Sequence, residues 1–200
     1  MRTLLTLAVV WGVATNAAAA QWSVGLELST TRYGGSSHDT SNAHAASDGR
    51  PGDATVVHLR IGKTWGRYGI AIRGAHSKPG LAVAGQGLNL TDKSSGGLSE
   101  IAAIVSTRVG GIGPSGAVRL EVGPALHLWN FEGDVRSRLG ANGALSYEWL
   151  LTGRFAGAVR VEGVLSKSWF DPGDVPPEYE RRATWRYGVG LGLRYRLSGG

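Results

Sequence analysis

Apolar and polar residues alternate with a period of two through nearly all of the chain after residue 21, and this alternation constrains the fold more than any other feature. Successive side chains of a β-strand point to opposite faces, so the pattern is typical of strands that have one apolar face. In the segment 185–197, apolar residues occupy every odd position, whereas Arg and Gly occupy every even one. The 32 Gly residues are scattered through such segments and disfavour helices, so the sequence predicts an all-β protein.

Eight segments of this kind are predicted to be strands, at roughly 22–33, 55–65, 67–76, 98–109, 117–130, 136–149, 154–169 and 182–197. Long polar connections at 34–54, 77–97 and 171–181 alternate with shorter turns at 66–67, 110–116 and 152–153, and only the short connection at 132–134 departs from this order. Long loops at one end and short turns at the other are typical of outer-membrane barrels. No apolar run reaches the 20 residues of a transmembrane helix. We therefore expect an eight-stranded antiparallel up-and-down transmembrane β-barrel.

The alternation alone does not say whether the apolar face meets lipid or a protein core, because a soluble lipocalin-like barrel alternates in the same way. The aromatic residues favour lipid, since they are predicted to form two belts near the strand ends, as at the two interfaces of a membrane. The belt at the short-turn end comprises Trp22, Trp65, Tyr68, Tyr147, Trp149, Phe155 and Tyr195. The belt at the long-loop end comprises Tyr33, Trp129, Phe131, Trp169, Phe170, Trp185 and Tyr187.

The opposite face of the strands carries charged residues, which we expect to point into the lumen. A barrel of eight strands is just wide enough for side chains to fill its interior. Because an unpaired buried charge is costly, these residues are expected to form a network of ion pairs and hydrogen bonds. The predicted network comprises Glu27, Arg60, Arg73, Glu100, Arg108, Arg119, Glu121, Glu148, Arg160, Glu162, Arg186, Arg194 and Arg196.

The N-terminus has the features of a secretory signal peptide. Arg2 is followed by an apolar segment from Leu4 to Val13 and by small residues at 18–20. We expect residues 1–20 to be the signal peptide and residues 21–200 to be the barrel domain. The chain has no Cys, which excludes disulfides and thiolate metal sites. It has 21 Lys and Arg against 15 Asp and Glu, but no block of basic residues, so nucleic acid is not an expected partner.

These features together resemble the OmpA/OmpX-type small outer-membrane barrels over residues 21–200. The segment from Trp185 to Leu197 is similar to the C-terminal strand by which the outer-membrane assembly machinery recognises that family, although the family usually ends on an aromatic residue and this chain ends on Gly200. The resemblance implies a location in the bacterial outer membrane, with outer-membrane lipid and the assembly machinery as partners.

Few residues suggest chemistry. The segment from Gly111 to Gly116 matches G-x-G-x-x-G, but a strand follows it where a dinucleotide site needs a helix, so we interpret it as a turn. The glycines at 188, 190 and 192 either make room for large lumen side chains or line a channel. His38 and His44, with nearby aspartates, form at most a weak metal site in the first loop. His76 and Ser77 are adjacent, and side chains of adjacent strand residues point to opposite faces, which argues against a Ser–His pair.

The sequence therefore predicts a non-enzymatic barrel with a structural or surface-interaction role through its extracellular loops, whose ligand it does not identify. No cofactor, metal ion or catalytic residue is expected. Two alternatives remain open at this point, a narrow pore or transporter and a lipid A-modifying enzyme.

Overall fold

The structure, a computed structural model, describes residues 20–40, 48–85, 88–92, 96–113, 115–131 and 133–197. The predicted signal peptide lies outside this part of the chain, apart from Ala20, as does His44. The strands in chain order are β1 (Gln21–Gly34), β2 (Ser37–Asp39), β3 (Asp48–Pro51), β4 (Ala54–Trp65), β5 (Tyr68–Ser77), β6 (Leu81–Gly85), β7 (Leu88–Asp92), β8 (Gly96–Gly110), β9 (Ala117–Phe131), β10 (Asp134–Thr152), β11 (Phe155–Ser166), β12 (Tyr179–Arg181) and β13 (Thr184–Arg196).

Eight of these strands form a closed barrel in the order β1-β13-β11-β10-β9-β8-β5-β4, and every neighbouring pair is antiparallel. The predicted fold class and the eight predicted strands are confirmed, with the ends shifted by a few residues. Two tight turns have glycines in the left-handed region, Gly66 at a φ of 55° and Gly153 at 49°, a conformation that glycine adopts without steric cost.

The barrel is apolar outside and polar inside. On β13, Val189 and Leu191 point outward and are 56% and 66% exposed, whereas Arg186 and Arg194 point inward and are buried. The register of each pair keeps apolar residues on the outer face, as between Leu28 of β1 and Leu191. Among the described residues, no helix has both the length and the apolar character needed to cross a membrane.

The long connections carry a second sheet at the long-loop end of the barrel. Its five strands follow the order β12-β2-β3-β6-β7 and come from three separate connections. The apolar segment 81–85 of the second long connection forms β6, which pairs with β3 and β7 rather than extending a barrel strand. The break occurs at Lys78–Gly80, where Pro79 interrupts the strand and Gly80 has a φ of 65°. We call this five-stranded unit the outer sheet and the opposite end of the barrel the short-turn end.

Candidate functional site

The lumen is filled by charged side chains from all eight barrel strands. Five glutamates and six arginines of the predicted network meet there, and ion pairs connect all of them: Glu27, Arg60, Arg73, Glu100, Arg119, Glu121, Glu148, Arg160, Glu162, Arg186 and Arg194. Each lies on an inward-facing position of its strand, because the alternation places every second residue on that face.

One cluster of the network is centred on Glu121, which is fully buried. Its Oε2 accepts a hydrogen bond from Arg60 Nη1 at 2.8 Å and another from Arg160 Nη1. Its Oε1 accepts a hydrogen bond from Ser146 Oγ at 3.2 Å. Strands β4, β9, β10 and β11 are thereby linked through a single carboxylate.

A second cluster lies nearer the outer sheet. Arg73 Nη1 donates to Glu162 Oε2 at 2.6 Å, and its Nη2 donates to Glu100 Oε1 at 3.3 Å. Arg186 Nη2 donates to the other oxygens of the same two glutamates, at 2.7 Å for Glu100 and 3.4 Å for Glu162. His127 Nε2 lies 3.1 Å from Glu100 Oε2. Two arginines and two glutamates therefore form a closed ring of ion pairs across the lumen.

Arg160 joins the two clusters. Its Nη1 contacts Glu121, its Nε donates to Glu162 Oε2 at 3.4 Å, and the same nitrogen lies 3.9 Å from Glu27 Oε1. The buried charges are thus compensated by opposite charges, which a low-dielectric interior requires. Such an arrangement obstructs the lumen and ties strands that are far apart in sequence.

Two residues of the predicted network lie elsewhere. Arg108 is exposed at the short-turn end, where its guanidinium donates to the backbone oxygens of Gly110 and Gly116, each at 3.3 Å. Arg196 is only half-buried at the mouth of the same end. Both occupy inward positions by strand parity, but among the described residues neither forms an ion pair with a glutamate of the network. Strand parity therefore did not identify which lumen-facing arginines would be paired.

The glycines of β13 make room for the network. A Cβ atom on Gly190 would lie 2.9 Å from Glu27 Oε1 and 3.0 Å from Ser29 Cβ, closer than such contacts normally come. One on Gly188 would lie 2.8 Å from Thr31 Cγ2. Of the two interpretations of these glycines, the structure therefore favours space for neighbouring side chains over a smooth channel wall.

The long-loop end of the lumen is closed by an aromatic cluster that the sequence analysis placed in the membrane belt. Trp129 and Trp169 are 1% and 0% exposed, and their rings stack with centroids 5.1 Å apart. Tyr33 meets Trp129 edge-on at 6.1 Å, and Phe131 meets Trp169 edge-on at 5.5 Å. Leu98 completes this buried cluster, against which Leu81 of the outer sheet packs. We call this group the aromatic plug.

The prediction of two matching belts is therefore wrong at the long-loop end. Tyr33, Trp129, Trp169 and Phe170 are buried and Phe131 is half-buried, which leaves only Trp185 and Tyr187 of that belt exposed. Strand parity could have revealed part of this, because Tyr33 continues the inward positions of Glu27 on β1, and Trp129 those of Glu121 on β9. At the short-turn end, five of the predicted aromatics are exposed and two are half-buried: Trp22, Trp65, Tyr68, Phe155 and Tyr195, and Tyr147 and Trp149.

Hydrogen bonds tie the outer sheet to the barrel. Ser36, the one non-glycine residue with positive φ in the described chain, at 87°, lies at the junction. Its Oγ is 2.6 Å from Thr184 Oγ1, and its carbonyl oxygen accepts bonds from Ser168 Oγ and the Arg182 amide, each at 2.9 Å. Arg50 of β3 donates to the Tyr33 carbonyl at 2.9 Å. These hydrogen bonds link the described parts of the first and last long connections to the barrel.

A cleft of about 690 Å³ lies between the outer sheet and the outside of the barrel. It combines Arg32, Arg50 and Arg182 with Asp48 and Asp53, and the exposed rings of Trp185 and Tyr187 line it too, stacked 5.6 Å apart. Trp, Tyr and Arg are the residue types most enriched at protein contact surfaces. The cleft is a candidate recognition surface at this end of the barrel.

Each of the four described histidines, at positions 38, 58, 76 and 127, contacts a serine or carboxylate side chain. No three His, Asp or Glu side chains in the described part of the chain group as metal ligands would, and His38 Nδ1 instead pairs with Asp48 Oδ1 at 2.6 Å. His76 does meet a serine that the sequence analysis missed. Its Nδ1 lies 3.2 Å from Ser99 Oγ on the neighbouring strand, since the register pairs these two residues. Within the described residues, no carboxylate hydrogen-bonds His76 to orient it as a base.

The fold is similar to that of solved barrel structures. Neisserial surface protein A superposes with a TM-score of 0.61 at 10% identity, over 89% of this chain and 99% of that one. A major outer membrane protein from Thermus thermophilus gives a TM-score of 0.50 at 14% identity, over 88% of this chain and 99% of that one. No protein-family model and no curated protein matches the sequence. The resemblance predicted from the sequence is thus confirmed at the level of the fold, and the chain has the fold of the small eight-stranded outer-membrane β-barrels.

Proposed function

We propose that the protein is a non-enzymatic barrel of the bacterial outer membrane, exported by its signal peptide, that stabilises the envelope and presents its outer sheet for contact with a surface partner. The observation that carries this proposal is the obstructed lumen. Ion pairs connect all eight strands across it, and the aromatic plug closes its long-loop end. Side chains that fill the lumen in this way stabilise the barrel wall. Interactions with other molecules are then expected at the outer surfaces.

The outward-facing residues support the membrane location. Aliphatic side chains such as Leu59, Ile72 and Leu191 are 54%, 65% and 66% exposed on the barrel wall. A continuous apolar surface of this kind is unfavourable in water and is stabilised by lipid. The exposed aromatics near the short-turn end lie where the interface of a membrane would be.

The location and orientation can be tested by labelling single cysteines, because the natural chain has none. Gly173 and Gly110 are matched positions, since a Cβ atom at either one would meet no other atom within 4 Å and neither residue has a positive φ. Gly173 lies in the connection between β11 and β12, and Gly110 lies at the short-turn end of β8. An impermeant maleimide applied to intact cells should label G173C, whereas G110C should react only after the outer membrane is permeabilised. Equal labelling of both variants in intact cells would contradict the proposed orientation.

The alternative of a pore is tested by conductance in planar bilayers. Because the lumen is filled, the purified protein is expected to give no stable channels under conditions in which a porin conducts. Steady single-channel steps that scale with protein concentration would replace the structural role with a transport role.

A further inference from the structure

The lumen opens at the short-turn end into a cavity of about 290 Å³ that is strongly basic. We call it the vestibule. Its charged lining comprises Arg60, Lys63, Arg119, Glu148, Arg194 and Arg196. The Lys63 ammonium lies over the outward-facing Trp22 ring, 5.4 Å from its centroid, so four arginines surround one carboxylate in the cavity. In the rest of the lumen, arginines and glutamates nearly balance.

The vestibule contains buried donors that the protein does not satisfy. Arg119 is 8% exposed, and neither its Nε nor its Nη1 has a hydrogen-bond partner in the described structure. Its Nε lies 3.6 Å from Glu148 Oε1, which is an ion pair beyond hydrogen-bond distance. Arg194 is 7% exposed and donates from Nη1 to the same Glu148 oxygen, while its Nη2 has no hydrogen-bond partner within the described residues. One carboxylate thus serves two guanidinium groups.

The nearest other carboxylate, that of Glu121, does not supply the missing hydrogen-bond acceptors. Glu121 Oε1 is 3.9 Å from Arg194 Nη2, and this glutamate already accepts hydrogen bonds from Arg60, Arg160 and Ser146. Buried guanidinium donors without acceptors are unfavourable, and oxyanions are the groups that match them in charge and geometry.

We propose that the vestibule binds one small oxyanion, of the size and charge of inorganic phosphate or a carboxylate, with Arg119 and Arg194 as its buried donors and Arg196 at its entrance. The volume suits a single small anion rather than a polymer. This inference goes beyond the proposed function and does not depend on the outer sheet having a partner.

The test is isothermal titration calorimetry of the protein purified from membranes in a non-ionic detergent. Inorganic phosphate and acetate are titrated separately, at constant ionic strength set with chloride. Saturable binding of one phosphate or one acetate per chain is expected, and the preferred anion identifies a phosphate or a carboxylate as the source. Arg119→Gln is expected to weaken this binding at least tenfold, because it removes a buried charge and its free donors.

Arg154→Gln is the matched control, since Arg154 is an exposed arginine in the turn at the same end and does not line the vestibule. It should change the affinity less than twofold. Heat-modifiable migration on gels shows whether each variant folds. If Arg119→Gln does not fold, Arg196→Gln at a half-buried position provides a second test of the same binding. The proposal is overturned if neither anion binds saturably, in which case water fills the vestibule, or if Arg154→Gln weakens binding as much as the vestibule variants do.

Discussion

Replacing Glu121 with Gln should strongly destabilise the barrel. The substitution keeps the shape of the side chain but removes the charge that pairs with Arg60 at 2.8 Å and with Arg160. Arg160 retains Glu162 at 3.4 Å, whereas Arg60 has no other carboxylate within ion-pair distance among the described residues. Removing one partner of a buried ion pair costs about 3–5 kcal/mol, because the other charge stays buried without compensation. We expect a decrease of that size in the free energy of unfolding.

The assay is urea unfolding in lipid vesicles, followed by tryptophan fluorescence and by heat-modifiable migration. The control is Glu180→Gln, because Glu180 pairs with Arg182 at 3.2 Å while their side chains are 61% and 50% exposed. An exposed pair of this kind contributes about 0–1 kcal/mol. If Glu121→Gln lowers the free energy of unfolding no more than Glu180→Gln does, the lumen charges are solvated and the network does not stabilise the barrel.

Three further predictions follow from the plug, the glycines and the histidine. Trp169→Ala should lower the free energy of unfolding by about 3–5 kcal/mol in the same assay, since it empties a buried site, whereas Trp185→Ala, at a 44% exposed position, should cost much less. Gly190→Val should lower the free energy of unfolding by about 1–3 kcal/mol, because the added Cβ would crowd Glu27. Gly163→Val should be tolerated, because no atom lies within 4 Å of the position of its Cβ. Equal refolding yields of the two variants would contradict this prediction. His76→Ala should leave the mass spectrum of lipid A unchanged relative to the natural protein, and a lost lipid A modification would show that the His76–Ser99 contact is catalytic.

The barrel itself could be predicted because strand parity is a local property. Each segment such as 185–197 carries its own apolar and polar faces, and a shift of one residue would reverse them. The two tight turns at Gly66 and Gly153 were visible for the same reason, since a positive φ favours glycine at that position. The number of barrel strands, their order and the inward direction of the charges therefore followed from the sequence.

The outer sheet could not be predicted, because its strands are only three to five residues long and too short to show a period. They pair across connections that are far apart in the chain, as Glu180 does with His38. The burial of the aromatics at the long-loop end was only partly predictable, because strand parity places Tyr33 and Trp129 on the inner face but does not show what packs against them. Only the outer sheet, through Leu81, and the connection after β11, through Trp169, create a buried space for these rings.

The amino-acid pattern determined which face of each strand is charged, whereas only the closed barrel decided which charges meet. Arg73 and Glu162 are 89 residues apart and lie on strands that are not neighbours, yet they come within 2.6 Å across the lumen. Parity specifies the direction of a side chain but not its depth along the barrel axis, and an ion pair requires both. Closure of the barrel brings the two strands to opposite sides of a narrow lumen, so the depth at which each arginine and glutamate lies decides the pairing.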